Sequence, residues 1–475
     1  MRESMNWTRS KQWGAFFGLL SMLANRALAQ QVYIDVDRSF PVFSVYDGIL
    51  AKDTNNAAAY RERGTAYYHQ EDFEKAIADY NQAIARNSKD AIAYAGRGMS
   101  HFKQNDLDDA IADLHHAVRL NPNSAAIYHH LVDAYWSKGD WDNVITNATQ
   151  IIRVNPSQSA WACDIRGSAY REKGDLDRAL KEFETAIRLS PNWDAPHEDH
   201  GIILSRKGDL DGAIADLNEA IRLNPKRDGF YYTRAAIYRE KGDWDADIAN
   251  WTEAIANIPS EVWLLTERAQ DYQIHKKDFS KAIADYNKAV ELSPGYYRDR
   301  ALAYQRENLN DKAIVDFTKA IEYDRTTYYY FVERADAYFK NGQYKAARED
   351  LDHAIQLNPN GWSSYSELAY CLATCPDASL RNGEEALKMA HKGCDLNPNN
   401  GTDCTTALAA AYAETGNFDD AIRYQKESLD RVLDRIRNDR GWGVSDEDIK
   451  KMKDRLALFE QHKPYREPLK RKPNP

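Results

Sequence analysis

Apolar and polar residues follow one another along this chain with the period of an amphipathic helix, and the whole pattern returns about every 34 residues. Residues 57–90 show the unit. Tyr60, Gly64 and Tyr67 are spaced four and three apart, so they share one helical face. The polar turn 69–72 interrupts the pattern, and a second face follows with Ala76, Tyr80 and Ala83. Small residues at 64 and 76 predict two helices packed closely, with the aromatics filling the space beside them. Ser88 stands where later units carry proline, which stops a helix because it lacks an N–H and clashes with the preceding turn. Those prolines are Pro122, Pro156, Pro191, Pro225, Pro259 and Pro294, lying 34, 35, 34, 34 and 35 residues apart. A fixed period of this length predicts an all-α chain built as a stack of helical hairpins, each too small to bury its own apolar face.

The same skeleton recurs as Tyr94, Gly98, Ala110, Ala117 and Pro122, and as Gly167, Tyr170, Ala179, Phe183, Ala186 and Pro191. It recurs again as Gly201, Ala213, Ala220 and Pro225, and as Tyr231, Ala235, Tyr238, Trp251, Ala254 and Pro259. Weaker copies occupy 269–294, 301–320 and 335–359. These residues resemble the tetratricopeptide repeat, of which about eleven copies fit between 57 and 430. The resemblance implies a right-handed superhelical solenoid of helix-turn-helix hairpins that acts by holding other molecules.

Some units depart from the pattern. The third carries Val132 and Val144 where small residues are expected, which predicts a wider gap between its helices. The seventh gains a residue in its turn, the eighth starts late after Pro294, and the tenth holds five extra residues between its helices. The tenth and eleventh units, with Ala373-Thr-Cys-Pro-Asp377 and Ala407-Leu-Ala-Ala-Ala-Tyr412, resemble a bacterial variant of the repeat, as does the tail at 463–467.

The ends do not follow the period. Arg2, Arg9 and Lys11 precede an apolar stretch at 13–24, and Ala27-Leu28-Ala29 is a small-x-small cleavage site. This is the layout of a secretory signal peptide, with an uncleaved anchor as the alternative. The expected organisation is a signal peptide (1–29), an N-terminal capping segment (30–56), the solenoid (57–430), C-terminal capping helices (431–462) and a basic, proline-rich tail (463–475). The chain would then be exported, to the periplasm or beyond, most simply in a bacterium. The formal charge of −10 includes a net +3 in the signal segment, leaving about −13 on the mature chain, which disfavours nucleic acid. The tail opposes that balance with five basic residues and one acid, and is where contact with an anionic membrane surface could occur.

Four of the five cysteines crowd into the last two units. In an oxidising compartment that predicts disulfides. Cys394 and Cys404 flank the link between two antiparallel segments, with Cys375 competing for either partner. A zinc site from Cys371, Cys375, His391 and Cys394 is the weaker alternative, since Cys371 and Cys394 fall at opposite ends of one hairpin. No glycine-rich phosphate loop or nucleophile elbow occurs. His197-Glu-Asp-His200 lacks the second intervening residue that would put both histidines on one face of a zinc-protease helix. No metal, cofactor or catalytic set is expected.

Two periodic features remain. Arg63, Arg97, Arg166, Arg234, Arg268, Arg300 and Arg334 each precede the small residue of their unit. Sixteen or seventeen residues on stand Asp79, Asp113, Glu182, Asn250, Asp285, Asp316 and Asp350. The third unit has Leu131 and Asn147, losing both charges together. That joint loss predicts contact across each hairpin, suited to the planar fork of arginine on a carboxylate.

The second feature is a candidate groove. The resemblance implies that positions 2, 5, 9 and 12 of each first helix line a concave face. Position 12 holds Tyr68, Phe102 and Trp136 in the first three units, then Arg171 and Arg239, while position 9 holds Met99 and Asp133. Arg61, Trp161 and Tyr232 share that face, which is expected to be aromatic toward the N-terminus and more basic in the middle. The asparagines of the family's carboxylate clamp are missing. The expected function is a non-catalytic scaffold holding a protein or peptide segment in this groove. The alternative is a glycan-binding envelope protein whose aromatic stripe stacks on sugar rings, for which those rings would have to stand exposed.

Overall fold

The turn at 69–72 has a construction that later hairpins repeat. Glu71 adopts φ 62°, in the left-handed region, and the Asp72 carboxylate then accepts from the Lys75 amide at 3.2 Å. Gly174 and Gly208 take the left-handed place with φ 80° and 86°, where a side chain would add strain. Asp140, Asp175, Asp209, Asp243 and Asp278 repeat the cap at 3.0–3.2 Å. Second helices end just before the Asn-Pro or Ser-Pro pairs, as at Leu120 and Leu189.

A computed structural model describes residues 41–397, 401–437 and 446–467, and among these the regular structure is all helical, without strands. The expected signal peptide with its cleavage site, residues 30–40 and residues 468–475 lie outside the described part.

Helix α1 (Pro41–Lys52) precedes eleven hairpins. The first three are α2 (Ala57–His69) with α3 (Phe73–Arg86), α4 (Ala91–Lys103) with α5 (Leu107–Leu120), and α6 (Ala125–Lys138) with α7 (Trp141–Val154). Next come α8 (Ser159–Glu172) with α9 (Leu176–Leu189), α10 (Asp194–Arg206) with α11 (Leu210–Leu223), and α12 (Asp228–Lys241) with α13 (Trp244–Asn257). Then follow α14 (Val262–Ile274) with α15 (Phe279–Leu292), α16 (Tyr297–Arg306) with α17 (Asn310–Tyr323), and α18 (Tyr328–Lys340) with α19 (Tyr344–Leu357). The last two are α20 (Trp362–Thr374) with α21 (Gly383–Leu396) and α22 (Gly401–Glu414) with α23 (Phe418–Arg437). Helix α23 runs past residue 430, where the solenoid was expected to end, and a single described helix, α24 (Asp446–Glu460), follows it.

The irregular units fit their sequences. Lys277, at φ 52°, takes up the longer turn of the seventh hairpin. A 3-10 turn over Pro294–Tyr296 leaves α16 with ten residues, and another over Ala378–Leu380 occupies the insertion in the tenth.

The chain divides after Thr233 into two compact units. In the first, Leu131, Val132, Val144, Ala148 and Ile151 are buried together, so the third hairpin keeps an apolar core around its two valines. Close approach elsewhere depends on the small residues: a Cβ on Gly167 would stand 2.8 Å from Cε1 of Phe183. In the second unit Phe339, Leu351, Leu368 and Leu372 anchor a similar core. First helices of successive hairpins also touch, as α2 with α4 and α4 with α6 in the first unit, and α18 with α20 and α20 with α22 in the second. Their outer sides therefore form continuous faces.

The arginine ladder joins the hairpins as expected. Arg63 grips Asp79 through Nε and Nη2, both at 2.7 Å, and Arg97 grips Asp113 at 2.7 and 2.6 Å. Arg268 with Asp285, Arg300 with Asp316 and Arg334 with Asp350 repeat the two-bonded geometry at 2.6–2.8 Å. Arg166 meets Glu182 at 2.5 Å and Arg234 donates to Asn250 at 2.8 Å. The remaining nitrogen reaches backward. Nη1 of Arg97 donates to Asn81, Arg166 to Thr149, Arg268 to Thr252, Arg300 to Asn287 and Arg334 to Thr318, at 2.5–3.2 Å. Each of these guanidinium groups therefore closes its own hairpin and ties it to the second helix of the one before.

Candidate binding face

In the first unit the candidate aromatics are half-buried rather than free. Tyr68 meets Phe73 edge-on at 5.6 Å, and Trp136 meets Trp141 edge-on at 5.0 Å. Phe102 and Trp161 lie against the core of the third hairpin, and Trp161 also tilts over His129 at 4.2 Å. Each ring is half-buried against its own scaffold, so exposed sugar-stacking platforms are not what these residues form. Burial, followed by the charge of Asp133, pushes the Tyr68 hydroxyl up to about 12. Met99 is half-buried on the same face. Tyr232, at 45% exposure, is the most open of the candidate aromatics.

The expected basic character is corrected by the ion pairs. Arg61 binds Glu62 at 2.6 Å and Asp90 at 3.1 Å. Arg171 is held by Asp199 and, at 3.3 Å, by Glu172. In the second unit Arg239 donates to Asp247 at 2.6 Å, Glu267 at 3.1 Å and Asp271 at 3.5 Å. Every one of these cations is answered by carboxylates arriving from a neighbouring turn or hairpin, which a count of arginines along the sequence does not reveal.

Carboxyl groups on these faces are raised by burial, some of them paired and some not. Asp133 makes no hydrogen bond, and burial pushes it up to about 7, with Lys103 acting against the shift. Asp164 is 3% exposed with Oδ1 lacking a partner, and burial, then the charge of Asp199, holds it well above the carboxylate range. Glu198 accepts from Arg227 at 3.0 Å and Thr233 at 3.2 Å, yet burial still pushes it up to about 7. In the second unit a row of acids crosses successive first helices: Asp299 on α16, Glu333 and Asp336 on α18, Glu367 on α20 and Asp403 on α22. Burial raises Asp299, Glu333 and Asp403, and carries Glu367 to about 8 with Asp336 as the next cause. The periodic signal for this row was present, since Asp299, Glu333 and Glu367 lie 34 residues apart.

Histidine also enters the ladder. In the fifth hairpin, which has no arginine at the usual place, His200 Nδ1 lies 2.6 Å from Asp216 and His197 Nδ1 lies 3.6 Å from it. Among the described residues no group of three or more His, Cys, Asp or Glu is arranged to hold a metal ion. All five cysteines are free thiols. Cys394 and Cys404 nevertheless stand side by side. The Cys394 thiol donates to the Cys404 sulfur, which raises the first and lowers the second.

Models of the tetratricopeptide repeat match 57–90, 98–139, 160–193, 198–261, 271–296, 328–360 and 402–432. Serine/threonine-protein phosphatase 5 of Mus musculus is 36% identical over 99 residues, 20% of this chain and 20% of that protein. Stress-induced-phosphoprotein 1 of Caenorhabditis elegans is 26% identical over 161 residues, 33% of this chain and 48% of that one. The chain thus spans about a fifth of the phosphatase and half of the latter protein. Among solved structures, yeast Tom70 is 17% identical with a TM-score of 0.38, covering 85% of this chain and 96% of that one.

Proposed function

Because this chain belongs to the tetratricopeptide repeat family, we propose that it is a non-catalytic scaffold that holds an extended protein or peptide segment across its first-helix faces. The observation that supports this most is the continuous face of the first three hairpins. There Tyr68, Phe102 and Trp136 are half-buried aromatics on successive first helices, and Asp133, whose charge acts on the Tyr68 hydroxyl, makes no hydrogen bond. Aromatic rings already fixed by packing lose little freedom when a ligand lands on them, so their apolar area is available to binding. Export completes the proposal, with maturation after Ala29.

The experiment is a peptide-display selection against the mature chain, repeated with Tyr68, Phe102 and Trp136 all changed to alanine. The triple variant should lose the selected segments while amide exchange across 262–437 stays as in the parent. Selection of the same segments by parent and variant would place recognition elsewhere. N-terminal sequencing of the natural product should begin at Gln30, and a product beginning at Met1 would overturn the export proposal.

A further inference from the structure

The fifth hairpin has no arginine at the ladder position, and His200 stands there instead. Its Nδ1 lies 2.6 Å from Oδ2 of Asp216, which holds the place of the acids that Arg63 and Arg97 grip in their own hairpins. Behind it, Nε2 lies 3.9 Å from Oε1 of Glu184 on α9, in the preceding hairpin. Arg97 reaches Asn81 and Arg166 reaches Thr149 at that rear place. The imidazole therefore sits at both ends of an arginine joint, with a carboxylate at each. His197, one turn earlier on α10, brings its own Nδ1 to 3.6 Å from the other oxygen of Asp216.

An arginine fork has five N–H donors and stays charged, whereas a neutral imidazole has one N–H and one bare nitrogen. The partner settles which nitrogen of His200 carries the proton. Burial works against it, yet His197 and His200 hold the Asp216 carboxyl below the usual carboxylate range, so near neutral pH it is ionised and can only accept. Nδ1 of His200 is therefore the donor, and in the neutral ring Nε2 is left bare. That nitrogen is buried without a hydrogen-bond partner, with the Glu184 carboxylate in front of it. A lone pair facing an anion holds nothing together. A second proton on the ring turns the same contact into an attraction.

We propose that His200 makes the junction of hairpins four and five a pH-responsive joint: the imidazolium ties Asp216 to Glu184 across the two hairpins, and the neutral ring releases the rear one. The inference goes beyond the scaffold proposal and uses none of the N-terminal aromatics. Histidine changes charge between about pH 5 and 8, which no arginine of the ladder does. His197 works in the same direction. The Asp216 carboxylate, outweighing burial, raises the His197 imidazole above its ordinary 6.5, so its contribution is complete below pH 6.5 and is lost as pH rises through the raised value. Glu219, held by Arg222, adds to that rise from α11. Glu184 is exposed and its share is modest, so the effect is a local opening rather than global unfolding. The other side of α10 meets α8, where Arg171 holds Asp199 beside Asp164, and Glu198 takes Arg227. Loosening the joint therefore acts on the seat of α8 against α10 in the first-helix face. Glu198, pushed up to about 7 by burial, titrates in the same range from that side.

Amide exchange of the full chain at pH 6 and pH 8, with each rate divided by the intrinsic rate at that pH, tests this directly. Protection across 176–223 should fall by about threefold or more from pH 6 to pH 8, within the roughly tenfold per pH unit that one proton allows. Residues 91–120, pinned by Arg97, should change less. His200→Arg, the residue that fits this place in other hairpins, should keep its pH 6 protection at pH 8. Glu198→Gln, which removes the other group titrating in this range, should leave the slope in place. A parent no steeper at 176–223 than at 91–120, a slope that survives in His200→Arg, or one that vanishes in Glu198→Gln would overturn the proposal. As a second readout, the imidazole nitrogen NMR shifts of the parent, with the His200 signals assigned by their loss in His200→Arg, should show Nδ1 protonated in the neutral ring. A neutral ring protonated at Nε2 refutes the mechanism. Neither readout involves a bound partner, so failure here and failure of the N-terminal face are distinguishable.

Discussion

Replacing Arg300 by methionine is the sharpest test of the ladder. Its guanidinium holds Asp316 at 2.6 and 2.8 Å and Asn287 at 2.9 Å, and Asp316 is 2% exposed. Removing the cation leaves a carboxylate that water cannot reach, a situation costing about 3–5 kcal/mol. Replacing both partners with apolar residues of similar size, Arg300→Met with Asp316→Leu, removes the desolvated charge as well. That pair should recover most of the loss, because a buried ion pair is worth little against well-packed apolar groups. Arg300→Lys should fall between, since it keeps the charge and loses the fork. A repeat stack unfolds in sections, so urea melts should be read together with amide exchange across 262–357, where the damage should be confined. A cost below about 1 kcal/mol for Arg300→Met, or a double variant as weak as the single one, would show that the ladder is not a buried joint.

Gly167→Leu should overpack the fourth hairpin against Phe183, costing about 1–3 kcal/mol or more, with faster exchange confined to 126–227; unchanged exchange there would contradict the packing. Glu367 is raised from 4.5 to about 8, so the folded state holds its proton longer than the unfolded chain. Its effect is a stability that is highest below pH 4.5 and falls until about pH 8, a slope that Glu367→Gln should flatten; a parallel slope in the variant would assign the effect elsewhere. The neighbouring thiols of Cys394 and Cys404 should join under oxidising conditions, and a non-reducing peptide map with both thiols free after oxidation would exclude that bond.

The hairpin count and the ladder were legible in the sequence because each depends on residues at a fixed spacing within one repeat. Arg97 and Asp113 are 16 apart in every view of the chain, and the loss of both partners at Leu131 and Asn147 told which pairs meet. The binding face was less legible because its electrostatics are made between repeats. Arg171 and Arg239 look like free cations until Asp199, Glu267 and Asp271 arrive from the next hairpin to hold them. The His200–Asp216 contact is hidden in the sequence because histidine stands where the other ladder units carry arginine. The acidic row escaped notice because each member alone resembles an ordinary solvated side chain.

The backward reach of each ladder arginine also bears on how such a chain can be rebuilt. Asn81, Thr149, Thr252, Asn287 and Thr318 are all short polar acceptors at the same place in the preceding hairpin. Any hairpin offering such an acceptor behind, and carrying its own arginine and acid, presents a standard joint. Whole units with this joint are interchangeable parts: duplication or excision in steps of one repeat preserves the fit on both sides. The third hairpin, with Leu131 and Asn147, and the fifth, with His200 in place of the arginine, lack this joint and can be moved only with their neighbours.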